Sequence, residues 1–137
     1  MYTGLKFKGV VREKFRQDFD KVIIMGRWDK LNDSLLAEFG EYERSDFIPH
    51  GSAGVTYEWE KQEIPHIWNE KTGEWQFTCG LKNYEDVIQE FIDLLPYLCE
   101  KVELCEVFYE EWDFSERWDV KENYSYLAEK PYKQYRS

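Results

Sequence analysis

The chain is poor in the residues that build metal centres and disulfide frameworks: three cysteines (Cys79, Cys99, Cys105) and two histidines (His50, His66) in 137 positions. An odd cysteine count with no C-x-x-C pair predicts reduced thiols in a cytosolic setting. Neither histidine stands in H-E-x-x-H or a comparable ligand spacing, so no metal and no cofactor is predicted. Long apolar runs are missing too. The longest, Phe91 to Leu98, is interrupted by Asp93 and Pro96, far short of the roughly 20 residues a membrane-spanning helix needs. The opening MYTGLKFKGVVREKF has no apolar stretch followed by small residues, which predicts no secretory signal and a cytoplasmic location. Cations are scarce, with 18 Lys+Arg against 28 Asp+Glu and a net charge of −10. Direct binding of nucleic-acid phosphates, which needs clustered Lys and Arg, is excluded on that ground. No linker rich in Gly, Ser and Pro divides the chain, and no repeat of roughly 20–50 residues occurs. One domain over 1–137 is expected, with 122–137 as a Tyr-rich, loosely ordered tail.

Aromatic residues are plentiful: nine Phe, ten Tyr and six Trp, 18% of the chain. They supply enough apolar area to offset chain entropy and exclude acidic disorder. Leu5, Phe7 and Val11 share one alternation and predict a strand over 3–11. Phe15, Phe19, Val22 and Ile23 recur at spacings of three and four, predicting a helix over 12–25 stopped by Gly26. Leu31, Leu35, Leu36 and Phe39 predict a weaker helix near 31–39, and 41–54 reads as a loop. Val55, Tyr57 and Trp59 alternate as in a strand. Ile67-Trp68 and Trp75 to Cys79 flank a Gly-containing turn over 69–73, a hairpin pattern.

Asn83 is placed as an N-cap, with Asp86 in a position resembling a capping box. The strongest helical pattern follows, through Val87, Ile88, Phe91, Ile92, Leu94, Leu95 and Leu98, with a kink or break expected at Pro96. Residues 102–112 and 117–121 read as two further strands. Strands separated by helices predict an α+β fold, a largely antiparallel sheet with two main helices on one face. A ferredoxin-like core of split βαβ units is the specific expectation.

The charge is uneven. Residues 1–40 carry a net +2, whereas 83–122 hold thirteen acidic groups against Lys101, Arg117 and Lys121, a net −10. On an extended strand, alternate side chains share a face about 6.6–6.8 Å apart. Glu106 and Glu110 fall on one face with Phe108 and Trp112; Glu103 and Glu111 fall on the other with Cys105, Val107 and Tyr109. Such a carboxylate ladder suits a basic groove that ordinarily holds nucleic acid. Glu103, Glu106, Glu110, Glu111, Asp113 and Glu116, with Trp112 as anchor, are the candidate protein-binding residues. The competing account is a solvated face that keeps a small protein soluble, with Trp112 and Phe114 covering the end of the core.

Catalytic patterns are weak. Gly51-Ser52-Ala53-Gly54 matches neither G-x-S-x-G nor a phosphate loop. Glu110 and Glu111 are adjacent and point to opposite faces of a strand, so they are poorly placed to act together on one bond. A short echo, Phe47-Ile48-Pro49-His50 and Glu63-Ile64-Pro65-His66, is read as chance. An alternative reading places a small-ligand or catalytic site in the 44–54 loop, lined by Arg44, Ser45, His50 and Ser52. A third option is self-association through Trp and Tyr surfaces.

Two segments, GLKFKG at 4–9 and LKNYEDVIQEFIDLLP at 81–96 after the W-x-F-x-C strand at 75–79, resemble small acidic proteins encoded by bacteriophages and prophages. The shared residues serve packing and capping, so no functional residue carries over. The resemblance implies a non-enzymatic inhibitor that blocks a host enzyme or defence complex at a basic surface. Toxin-immunity proteins follow the same logic.

Overall fold

A computed structural model of the chain describes residues 2–51, 64–109, 111–112, 114–121 and 124–134, with 129–134 described by backbone alone. In chain order the elements are β1 (Tyr2–Val11), α1 (Glu13–Arg16), α2 (Asp20–Met25), α3 (Ser34–Phe39), β2 (Ile67–Trp68), β3 (Glu74–Lys82), α4 (Val87–Leu98), β4 (Cys99–Tyr109), β5 (Phe114–Val120) and β6 (Ser125–Gln134). The strands form one sheet in the order β2-β3-β1-β4-β5-β6, every described pairing antiparallel. The fold is α+β.

Period-two alternation does what the sequence pattern predicts. Leu5 stands opposite Cys79 of β3 and Val107 of β4, and Phe7 stands opposite Phe77 and Cys105. These side chains form the sheet's contribution to a core completed by Phe15, Phe19, Val22, Trp28, Leu36, Phe39 and the apolar stripe of α4. β1 lies between β3 and β4 and opposes both, so β3 and β4 run parallel around it, a split βαβ arrangement joined through α4. β5 and β6 extend the sheet beyond β4.

Several expectations are corrected in detail. The helix expected over 12–25 is two short ones. Successive i→i−3 bonds (Phe19 to Arg16, Lys21 to Asp18, Val22 to Phe19) tighten the chain between them, and the Asp18 carboxylate is drawn out to accept the Asn32 amide at 2.7 Å. Gly26 ends α2 as predicted, at φ 65°; a Cβ there would collide with the Asp46 carbonyl. Asp86 makes no capping bond. Instead Asn83 reaches past a 3₁₀ turn to accept the Ile88 amide at 2.9 Å. Residues 125–134, expected in a loose tail, form β6. The strand expected at 55–59 lies outside the described residues.

Pro96 does not break α4, which runs on to Leu98. Its missing N–H deprives the Ile92 carbonyl of an intrahelical donor, and the Ser125 hydroxyl donates to that carbonyl at 3.0 Å. Arg12 closes the helix end. Its guanidinium donates to the carbonyls of Pro96 and Tyr97 at 2.9 and 3.1 Å, and its own amide donates to Leu98 at 2.9 Å. A cation on the exposed carbonyls also suits the negative end of the helix dipole. No helix among the described residues is long and apolar enough to cross a membrane.

Candidate functional site

The predicted carboxylate ladder is not one exposed surface. Glu106 is 5% exposed and stands in register between Lys6 of β1 and Arg117 of β5, on the sheet face away from the core. Glu116, 6% exposed, is opposite Val107 and so belongs to the other face. Glu103 is paired with Lys101 at 3.2 Å and Lys8 at 3.5 Å. The Lys101 hydrogen bond, aided by Lys8, holds its carboxyl below the usual carboxylate range against the opposing effect of desolvation. Glu111 is exposed, whereas Glu110 and Asp113 lie outside the described residues. Trp112 is half-buried, stacked on Phe114 at 4.6 Å and edge-on to Tyr109 at 4.2 Å. It clasps the β4–β5 hairpin, with its amide donating to the Tyr109 carbonyl at 2.9 Å. The physical reason is register: strand pairing sets Glu106 beside the chain's own cations.

The alternative set in the 44–54 loop is also dispersed. Ser45 is buried and donates to the Gly40 carbonyl at 3.1 Å. His50 Nε2 donates to the Val22 carbonyl at 3.2 Å, and its ring meets His66 at 5.5 Å. Ser52 lies outside the described residues. Arg44 lines a cavity with other partners, taken up below. The three cysteines are buried and free. Burial raises all three thiols, Cys105 up to about 12, so they stay protonated at neutral pH.

The two histidines of the short echo do meet, and they make a pH-sensitive contact. The Trp75 indole N–H donates to His66 Nε2 at 3.2 Å, which requires an unprotonated Nε2. Burial, and secondarily the His50 ring, lower the pKa of His66. The folded state therefore favours neutral imidazole. The stabilisation is present above the ordinary His value of about 6.5 and is lost as pH falls through the lowered folded value. The expected result is a urea midpoint that falls between pH 7 and pH 5, with the fall reduced in His66→Asn. Equal pH dependence in both proteins would remove His66 as its source.

A groove between α3 and α4 brings three acidic groups together, Glu38 and Asp93 exposed and Glu90 half-buried. Asp33 caps α3 by accepting the Leu35 and Leu36 amides, each at 3.0 Å. The Tyr97 hydroxyl donates to the same carboxylate at 2.6 Å, tying the end of α4 to the start of α3. Burial opposes ionisation of Asp33, but the Tyr97 and amide hydrogen bonds outweigh it and hold its carboxyl below the usual range. With the helices so fixed, Leu35, Glu38, Phe39 and Tyr42 lie along a cleft of about 220 Å³ opposite Glu90, Asp93, Leu94 and Tyr97. Both rows have spacing i, i+3, i+4, i+7; Glu90 to Tyr97 share one face of α4, and Leu35, Glu38 and Phe39 one face of α3, with Tyr42 just past its end. Both also carry an acid, an apolar residue and a tyrosine in the same order at their last three positions. Glu90, with lesser help from burial and from Glu38 and Glu85, raises the Tyr42 hydroxyl and keeps it protonated. Leu35 is 45% exposed at the rim. The described lining holds three carboxylates and no cation. No family model, curated protein or solved structure matches the chain.

Proposed function

We propose that this protein is a non-enzymatic, acidic binding module that takes a basic segment of a partner protein into the α3–α4 groove. The observation that carries this reading is the composition of the groove: Glu38, Glu90 and Asp93 around Leu35, Phe39, Leu94 and two tyrosines, with no cation in the described lining. A Lys or Arg side chain lays its methylene stem on the apolar floor and presents its charge to the carboxylates and to the Tyr42 ring, the Tyr97 ring already carrying Lys14 Nζ at 5.1 Å. The surplus of negative charge, −10 for the chain, accelerates encounter with a cationic partner and loses that effect as salt is added. Occupying a basic surface excludes the anion that surface would otherwise hold, so binding is inhibitory. That is the host-directed mode of action implied by the phage-type resemblance.

The test is titration of the 15N-labelled chain with an amphipathic peptide rich in Lys and Arg. Amide shifts are expected along 35–42 and 90–97, with affinity falling as salt rises. Glu38→Lys combined with Asp93→Lys, both at exposed positions, weakens binding by about tenfold or more at low salt and leaves thermal unfolding nearly unchanged. Undiminished binding by the double variant, or shifts confined to another surface, would overturn the assignment.

A further inference from the structure

Arg44 precedes the 3₁₀ turn Ser45–Phe47 and is held at φ 75°, a left-handed conformation uncommon for a side-chain-bearing residue. Its guanidinium lies 5.0 Å from the Tyr84 ring and 5.3 Å from the Phe47 ring. Stacking engages the faces of the guanidinium and leaves its in-plane N–H groups free to donate. Nε is buried without a hydrogen-bond partner, a state that protein donors seldom keep without a reason.

Lys82 stands across the same cavity, its Nζ 5.6 Å from the Tyr2 ring. Arg16, Arg27 and Lys101 each have a carboxylate within 2.8–3.2 Å; Arg44 and Lys82 have no such ion pair among the described residues. Other cations also lack a carboxylate partner among the described residues, Arg12 and Lys121 at another cavity among them, but that cavity is lined by Glu100 as well, whereas Arg44 and Lys82 share one with no acid in its described lining. The cavity measures about 270 Å³ and is lined by Tyr2, Arg44, Phe47, Gly51, Gly80, Leu81 and Lys82, with no carboxylate in the described lining. One wall is bare backbone. The Gly80 amide donates to the Gly51 carbonyl at 2.9 Å, and a Cβ on Gly51 would strike the Gly80 carbonyl.

We propose that this cavity binds a small organic anion, a single planar ring carrying a phosphate or a carboxylate. Arg44 offers the paired N–H groups of its terminal nitrogens, a two-pronged donor that fits either anion, and Lys82 adds a second positive charge. Phe47 and Tyr2 provide ring surface. The volume falls just under the range of about 300–1,000 Å³ typical of sites for drug-sized ligands, which suits one ring with its anionic group. The site is built from different elements than the α3–α4 groove and does not rest on that reading.

The full chain, 15N-labelled, is titrated with phenyl phosphate and with benzoate, and in parallel with phenol and inorganic phosphate. Saturable amide shifts are expected at residues 2, 44, 47, 51 and 80–82 with at least one ring anion, and none with phenol. A response to phenyl phosphate alone assigns the phosphate; a response to benzoate alone assigns the carboxylate. Arg44→Asn, a residue that tolerates the left-handed backbone, and Lys82→Gln each weaken binding tenfold or more while the remaining amide spectrum is retained. Absence of saturable shifts with either ring anion, shifts mapping elsewhere, unchanged affinity in both variants, or inorganic phosphate binding as tightly as phenyl phosphate would overturn the proposal.

Discussion

Trp28→Ala lowers the free energy of unfolding by about 4 kcal/mol, seen as a fall in the urea midpoint with little change in slope. The indole is fully buried and lies edge-on to Phe19, Phe39 and Phe91 at centroid distances of 5.6, 5.0 and 6.1 Å. Those partners come from the stretch before α2, from α3 and from α4, so one ring joins the short N-terminal helices to the long one. Truncation opens a cavity between three elements that cannot all close on it. It also removes the indole N–H that donates to the Ile48 carbonyl at 2.9 Å. Trp28→Phe separates the two losses. It retains most of the apolar area and leaves the carbonyl without its donor, for a cost of about 1–3 kcal/mol. A loss under about 1.5 kcal/mol for the alanine variant, well below the usual range for Trp→Ala, would contradict the packing described.

Glu106→Ala is the second large effect, a loss of about 3 kcal/mol. Glu106 and Lys6 are cross-strand partners with 5% and 3% exposure, and Arg117 stands in register on the other side of Glu106. Removing the carboxylate takes away the negative charge opposite a buried ammonium, which is costlier than losing the same group at the surface. Lys6→Met combined with Glu106→Leu should recover most of the loss, because replacing two buried, register-opposed charges by apolar residues of similar volume is often neutral or better. A residue on an exposed docking surface would behave differently, with Glu106→Ala falling within about 0.5 kcal/mol of the parent.

The elements most legible in the sequence are those whose period is enforced by a single face. Leu5, Phe7 and Val11 specify β1, and the stripe from Val87 to Leu98 specifies α4, because each row meets one side of one core. The connection of the N-terminal segment was less legible: Phe15, Phe19 and Val22 do enter the core, but i→i−3 bonds between α1 and α2 change the path between them. Register was illegible from composition. Nothing local to VELCEVFY announces that Glu106 is paired beside Lys6, some hundred positions away, so an acidic strand reads as an exposed one. The groove is written in the sequence as two matched rows, Leu35/Glu38/Phe39/Tyr42 and Glu90/Asp93/Leu94/Tyr97, but nothing within either segment says that the two rows face each other. The echo of His50 and His66 reads as chance in the sequence, yet the fold brings the two rings to 5.5 Å.

The hydroxyl of Ser125 that completes α4 at Ile92 belongs to a residue 33 positions further along. Without Ser125 the Ile92 carbonyl, freed by Pro96, lacks that donor, so α4 is not self-sufficient in its hydrogen bonds. The first residue of β6 thus fastens a helix that precedes it in the chain, closing from a distant strand the gap that Pro96 leaves in α4.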